Sequence, residues 1–183
     1  MLSIKSKHPA GWLALAAFIV TIPLGNWVVM NVGLTCVPDG PCLIPVWPGL
    51  MAPSGVLLAG LALVLRDAVH SWLGAGWSIV AIAVGAVLSA WLSPPALVLA
   101  SATAFLFSEL ADLAVYAPLR KRFPGMAVIA SGLAGSVVDS LLFLTIAFGS
   151  LQYLPGQVLG KFWMSLIAGA IIAALARRRA AVA

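Results

Sequence analysis

Residues 126–148 read MAVIASGLAGSVVDSLLFLTIAF, an apolar, small-residue-rich run whose one ionisable side chain is Asp139. About 20 such residues are what an α-helix needs to cross the hydrocarbon layer of a bilayer, so the stretch reads as a spanning helix. At 1.5 Å per residue, Asp139 lies roughly 20 Å from the start of the span, too deep for its short side chain to reach water. A charge at that depth costs about 2.5–3.5 kcal/mol on the insertion scale. The run therefore implies a membrane helix and, with it, a polar interior that supplies Asp139 with partners.

The rest of the chain has the same character. Of 183 residues, 63% are hydrophobic and 8% charged, with a mean hydropathy of +1.12. Soluble domains run near a quarter charged residues, so a soluble globular fold is excluded. Five further spans are predicted at residues 11–32, 51–73, 77–92, 96–119 and 158–176. The expected fold is an all-α integral membrane protein, one compact domain over residues 1–183 with six transmembrane helices. The first run follows Lys5, Lys7 and His8 as a signal peptide would. It is too long for one, and Asn26 and Trp27 stand where a small-residue cleavage site belongs, so it is read as a retained helix. Residues 35–48, TCVPDGPCLIPVWP, are too rich in proline and glycine to continue a helix and read as a loop.

Charge placement orients these spans. Lys5, Lys7, Arg66, Arg120, Lys121, Arg122 and Arg177, Arg178 and Arg179 fall on one side, whereas the loops around Asp39, Pro94 and Leu154 carry no lysine or arginine. By the positive-inside rule both termini and the two basic connections are expected to be cytoplasmic, in a multi-pass protein of the cytoplasmic (inner) membrane. Arg66 is read as one of these cytoplasmic anchors. The basic residues sit at helix ends rather than in a patch, so no nucleic-acid partner is expected.

Asp67, Glu109, Asp112, Asp139 and Lys161 lie within or at the inner ends of spans, leaving Asp39 as the loop acid. Glu109 and Asp112, three residues apart, share a helix face with Ser108 and Tyr116. Ser136 and Ser140 accompany Asp139. Lys161 enters its span from the outer side, and with the last two helices antiparallel its stem can reach Asp139. Each group has an ordinary alternative: Asp112 paired with a base near the headgroups, Asp139 and Lys161 as a helix clip, Asp67 as the partner of Arg66, and His70 as an interfacial histidine rather than a proton relay. Trp12, Trp47, Trp72 and Trp91 suit an interfacial belt. Phe105, Phe107, Phe143, Phe148 and Trp163 lie where they can stack on a flat ligand or simply pack.

Cys36 and Cys42 share the outer loop, separated by the turn-rich VPDGP. They can pair in an oxidising exterior or remain free thiols. No metal-binding cysteine or histidine cluster, phosphate-binding loop, dinucleotide fingerprint or hydrolase nucleophile motif is present. No metal, cofactor or catalytic residue is expected, and an ATPase would have to be a separate subunit.

Several stretches resemble one family. They are Pro53-Ser54-Gly55 through Leu65-Arg66-Asp67, Ser108-Glu109-Leu110-Ala111-Asp112 through Leu119-Arg120, the helix-five pattern ASxxxGSxxDSxxFxxIAF beginning at Ala130, and Gly160-Lys161. Over about residues 50 to 168 the chain resembles the queuosine precursor transporters, also called the vitamin uptake transporter family. It differs in carrying Ser136 where many members have asparagine, and in its tight outer loops. The resemblance implies import of 7-cyano-7-deazaguanine or a related 7-deazaguanine. It implicates Asp67, Glu109, Asp112, Ser136, Asp139 and Lys161 in binding this purine-like substrate. Two other functions fit six helices without an ATPase. One is the substrate-binding subunit of an energy-coupling-factor vitamin transporter, docking its coupling subunit and ATPases through small residues such as Ala10, Ala14 and Ala17. The other is an intramembrane enzyme built on paired carboxylates.

Overall fold

In the computed structural model, residues 9–38, 40–93 and 98–182 are described, the last seven as backbone only. Lys5, Lys7, His8, Asp39, Pro94 and the side chains of Arg177, Arg178 and Arg179 lie outside the described residues. Six helices long and apolar enough to cross a membrane form the bundle: α1 (Pro9–Asn31), α2 (Val56–Leu73), α3 (Ala75–Leu92), α4 (Val98–Leu119), α5 (Pro124–Phe148) and α6 (Leu154–Val182).

Helix ends follow local chemistry. Pro124 occupies the first turn of α5, where a missing N–H is tolerated, and Gly149 closes the helix in the left-handed conformation at φ +60°. α6 starts four residues before the predicted 158, with Pro155 in its first turn. It continues beyond 176 because the alanines and arginines that follow favour helix.

The segment read as a loop is ordered differently. Residues 35–53 contain an antiparallel meander in the order β1 (Thr35–Cys36), β2 (Cys42–Trp47) and β3 (Leu50–Pro53). Pro48-Gly49, with Gly49 at φ +78°, joins β2 to β3 in the residue order that a type II turn demands. Pro45, which cannot donate to a ladder, sits where the register shifts between Pro45 and Trp47. The meander takes Met51–Pro53 into β3, so α2 begins at Val56 instead of the predicted 51. Cys36 and Cys42 are register partners joined by a disulfide.

The sheet caps one end of the bundle. Trp163 of α6 donates its indole N–H to the Val46 carbonyl at 3.2 Å and stacks on Trp47, while the Ser54 hydroxyl reaches the Val28 carbonyl of α1 at 3.0 Å. The α2–α3 and α4–α5 connections lie at the opposite end. α2 is the central helix and touches all five others. At Gly60 the backbone of α6 at Lys161 approaches so closely that a Cβ would strike it. Absence of a side chain there lets two backbones meet and sets Lys161 beside α2.

Candidate functional site

The position of α2 overturns one expectation. Arg66 is not a cytoplasmic anchor; it is 0% exposed, because α2 runs through the centre of the bundle and about 10 Å of helix remains beyond it. Its guanidinium binds three carboxylates. Nε donates to Glu109 Oε2 at 3.0 Å, Nη2 donates to Asp112 Oδ1, and Nη1 lies 2.7 Å from Asp67 Oδ1 as a charge contact off the hydrogen-bonding direction. All three acids are buried. Glu109 and Asp112 reach the same guanidinium because three residues along α4 return to one helix face. Asp67, next to Arg66 in sequence, is also held by the Ser131 hydroxyl of α5, which donates to its Oδ2 at 3.3 Å. Close approach of α5 is permitted by Gly135, whose missing Cβ would stand 3.0 Å from that of Asp112.

Beyond this centre, toward the basic α4–α5 connection, Tyr116 places its ring 5.9 Å from the guanidinium carbon and shares a 3.2 Å hydrogen bond with Ser71. His70 meets the Tyr116 ring edge-on, and its Nδ1 has no hydrogen-bond partner among the described residues.

On the sheet side lies a second centre. Lys161 donates to Asp139 Oδ2, to Ser140 Oγ at 2.9 Å and to Gln157 Oε1 at 2.8 Å. An ammonium has three N–H donors, so these acceptors saturate it. Asp139 keeps Oδ1 for the Ser108 hydroxyl at a long 3.5 Å, and with 21% of its side chain exposed it is the most accessible of the four ion-paired acids.

The exposure of Asp139 is to a cavity of about 170 Å³ on the sheet side of the bundle, bounded by Pro53 at the end of β3 and by parts of all six helices. Ser108, Glu109, Asp139 and Lys161 give it a polar wall, Phe105 and Phe143 aromatic surfaces, and Asn26 and Gln157 amides. Of the six residues expected to bind substrate, Glu109, Asp139 and Lys161 line this space. Asp67 and Asp112 are gathered around Arg66 outside the lining. Ser136 is fully buried and donates to its own helix at the Gly132 carbonyl, 2.5 Å away. Glu109 belongs to both centres: it lines the cavity and accepts from Arg66.

Of the stacking candidates, Phe107 and Phe148 are largely exposed, and Trp163 is occupied with Trp47. Sequence reading missed Arg66 and Gln157. The amide of Gln157, one turn before Lys161 on a helix interior, was the available signal for the second; for the first it was the place of Arg66 inside the predicted span beside Asp67. Among the described residues, no group of histidine, cysteine and acidic side chains is arranged to hold a metal ion.

A family model described as "Putative vitamin uptake transporter" matches residues 51–177, a stretch that includes Arg66 and every residue of both ionic centres. No curated protein and no solved structure shows a significant match.

Proposed function

Because the chain belongs to the vitamin uptake transporter family and is a multi-pass membrane transporter, we propose that its cargo is a 7-deazaguanine precursor of queuosine, imported across the cytoplasmic membrane. The observation that carries this reading is the cavity with aromatic walls bordered by Glu109 and Asp139. Its 170 Å³ compares with an engineered apolar cavity of about 150 Å³ that takes up benzene, which suits a small flat heterocycle. A guanine-like edge offers adjacent N–H donors, and a carboxylate accepts two of them in a fork. Asp139 Oδ1 and Glu109 supply that chemistry, with Phe105 or Phe143 stacking on the ring. Since Lys161 already spends its three donors, its role is to orient Asp139 within the cavity wall.

The orientation follows the basic residues. With Arg120, Lys121 and Arg122 cytoplasmic, the sheet and its cavity face outward, both termini lie inside, and substrate enters from the sheet side. Ala14 is buried in the bundle and Ala10 and Ala17 are half-buried. The small-residue face of α1 is thereby engaged internally, which favours a self-sufficient transporter over a subunit that docks a coupling partner through that face.

The test is accumulation of tritiated 7-cyano-7-deazaguanine by cells unable to synthesise it. Expression of the chain should restore uptake, and Asp139→Asn and Glu109→Gln should each abolish it at normal membrane levels of protein. Normal uptake by both variants would overturn the site. Uptake of a vitamin in place of every deazapurine in a competition panel would overturn the substrate, and co-purification with ATPases on which uptake depends would overturn the self-sufficient reading.

A further inference from the structure

The Arg66 centre sets one cation against three carboxylates inside the membrane. The Asp67 and Asp112 carboxyls meet the two terminal nitrogens of one guanidinium, Nη1 and Nη2, and so are brought together, with the Ser131 hydroxyl on Asp67. Two carboxylates cannot attract each other; a carboxylic acid and a carboxylate can, through the proton they share. Asp112, itself 0% exposed, keeps Oδ2 without any hydrogen-bond donor among the described residues, and a buried acceptor left so is expensive. We propose that the Arg66 centre is a proton-binding site, with an exchangeable proton held between Asp67 and Asp112, and that this proton travels with the cargo.

The chemistry favours a proton over a metal cation. Sodium needs a cage of several oxygens with room for the ion, whereas Arg66 fills the middle of this cluster and neither Asp67 nor Asp112 lines the cavity. Groups facing the acid pair are Arg66 and His70 on α2, Glu109 and Tyr116 on α4, and Ser131 on α5. Asp139 of α5 and Lys161 of α6 lie on the far side of Glu109, and Arg120 lies toward the basic α4–α5 connection.

Coupling passes through Glu109, which touches both cavity and guanidinium. Turning the cavity toward the other side of the membrane moves α2 relative to α4 and parts Arg66 from Glu109 and Asp112. With the proton absent, that step leaves carboxylates without a counter-charge in a medium that penalises each of them; with the proton bound, the step is eased. On the inner side the proton leaves toward Tyr116, Ser71 and His70, which lie between the centre and the basic α4–α5 connection.

This proposal rests on the transport reading above, so its test has one arm that needs no cargo. Infrared spectra of the purified full chain in lipid at neutral pH should show a carboxylic-acid carbonyl band that shifts in heavy water and disappears in Asp112→Asn. The band should survive in Asp139→Asn. Absence of the band from the wild type overturns the proposal, whatever the cargo. In the second arm, proteoliposomes take up external tritiated 7-cyano-7-deazaguanine, either loaded with the unlabelled compound for counterflow or given an imposed gradient. An inward proton gradient of about one pH unit should accelerate wild-type uptake by about tenfold, the factor that one pH unit supplies to a step carrying one proton. Asp112→Asn should lose that acceleration, and Asp112→Glu should restore it. Acceleration by sodium at matched pH, or counterflow with no response to the proton gradient, overturns the proposal. If the wild type shows the band but no counterflow, the cargo assignment fails while the bound proton stands.

Discussion

The two ionic centres differ in charge balance. On the sheet side, one ammonium meets one carboxylate and two neutral acceptors, every N–H is used, and Asp139 keeps an accessible edge on the cavity. On the side of the basic α4–α5 connection, one guanidinium faces three carboxylates, all buried, with two acceptor oxygens, Asp67 Oδ1 and Asp112 Oδ2, lacking a hydrogen-bond donor among the described residues. A balanced, partly open centre can lend an oxygen to a ligand without disturbing its neighbours. An unbalanced centre that meets the cavity only at Glu109 is sensitive to any added or removed positive charge, which suits its Asp67 and Asp112 to a step in a transport cycle better than to the recognition of cargo.

Substitutions can break this contrast. The largest effect is expected from Arg66→Met, which strands three buried carboxylates and should cost about 3–5 kcal/mol. The protein should fail to accumulate in the membrane or should lose its monodisperse elution in detergent, and adding Asp67→Asn and Asp112→Asn should recover much of the loss. Unchanged stability of Arg66→Met alone would show that the centre is not held by charge.

Asp139→Asn should cost less, about 1–3 kcal/mol, because Ser140 and Gln157 still accept from Lys161. A thermal double-mutant cycle with Lys161→Met should show the pair coupled, while uptake stays lost in the double variant because an amide cannot accept two donors in a fork as the carboxylate does. Recovery of uptake in the double variant would make the pair a helix clip and nothing more.

Cys42→Ser removes a bridge across a short loop, worth about 2 kcal/mol in the chain-entropy account. It should lower the melting temperature and leave uptake intact, since both ionic centres lie in the helices; loss of uptake at normal stability would give the sheet a direct part in gating. Smallest of all is Ser136→Ala, at or below about 1 kcal/mol, with uptake unchanged. A transport defect in that variant would move Ser136 from helix packing into the cavity.

How much of this was legible in the chain depends on the range of the interaction that decides it. Spans three and four ended where predicted, at Leu92 and Leu119, because hydropathy and proline and glycine breaks act locally. Residues 35–48 were read as a loop and 51–53 as the start of a span, since strands of two to six residues, one interrupted by Pro45, carry no periodic signal, and their register depends on packing beneath Trp163. Glu109, Asp112, Asp139 and Lys161 stood out because a charge in an apolar run is conspicuous by itself. Arg66 was misread because a base toward one end of a span looks the same from the sequence whether its helix is peripheral or central.

By itself, then, the sequence determined six spanning helices and which acids and which lysine were left among them. Each follows from transfer free energies that add residue by residue along the chain. Tertiary structure alone decided that Arg66 gathers acids 43 and 46 positions away, that Glu109 joins this centre to the cavity, and that Ser136 turns into its own helix. Those outcomes depend on which helices are neighbours and how each is rotated, and both are set by the close approach of backbones at small residues such as Gly60 and Gly135.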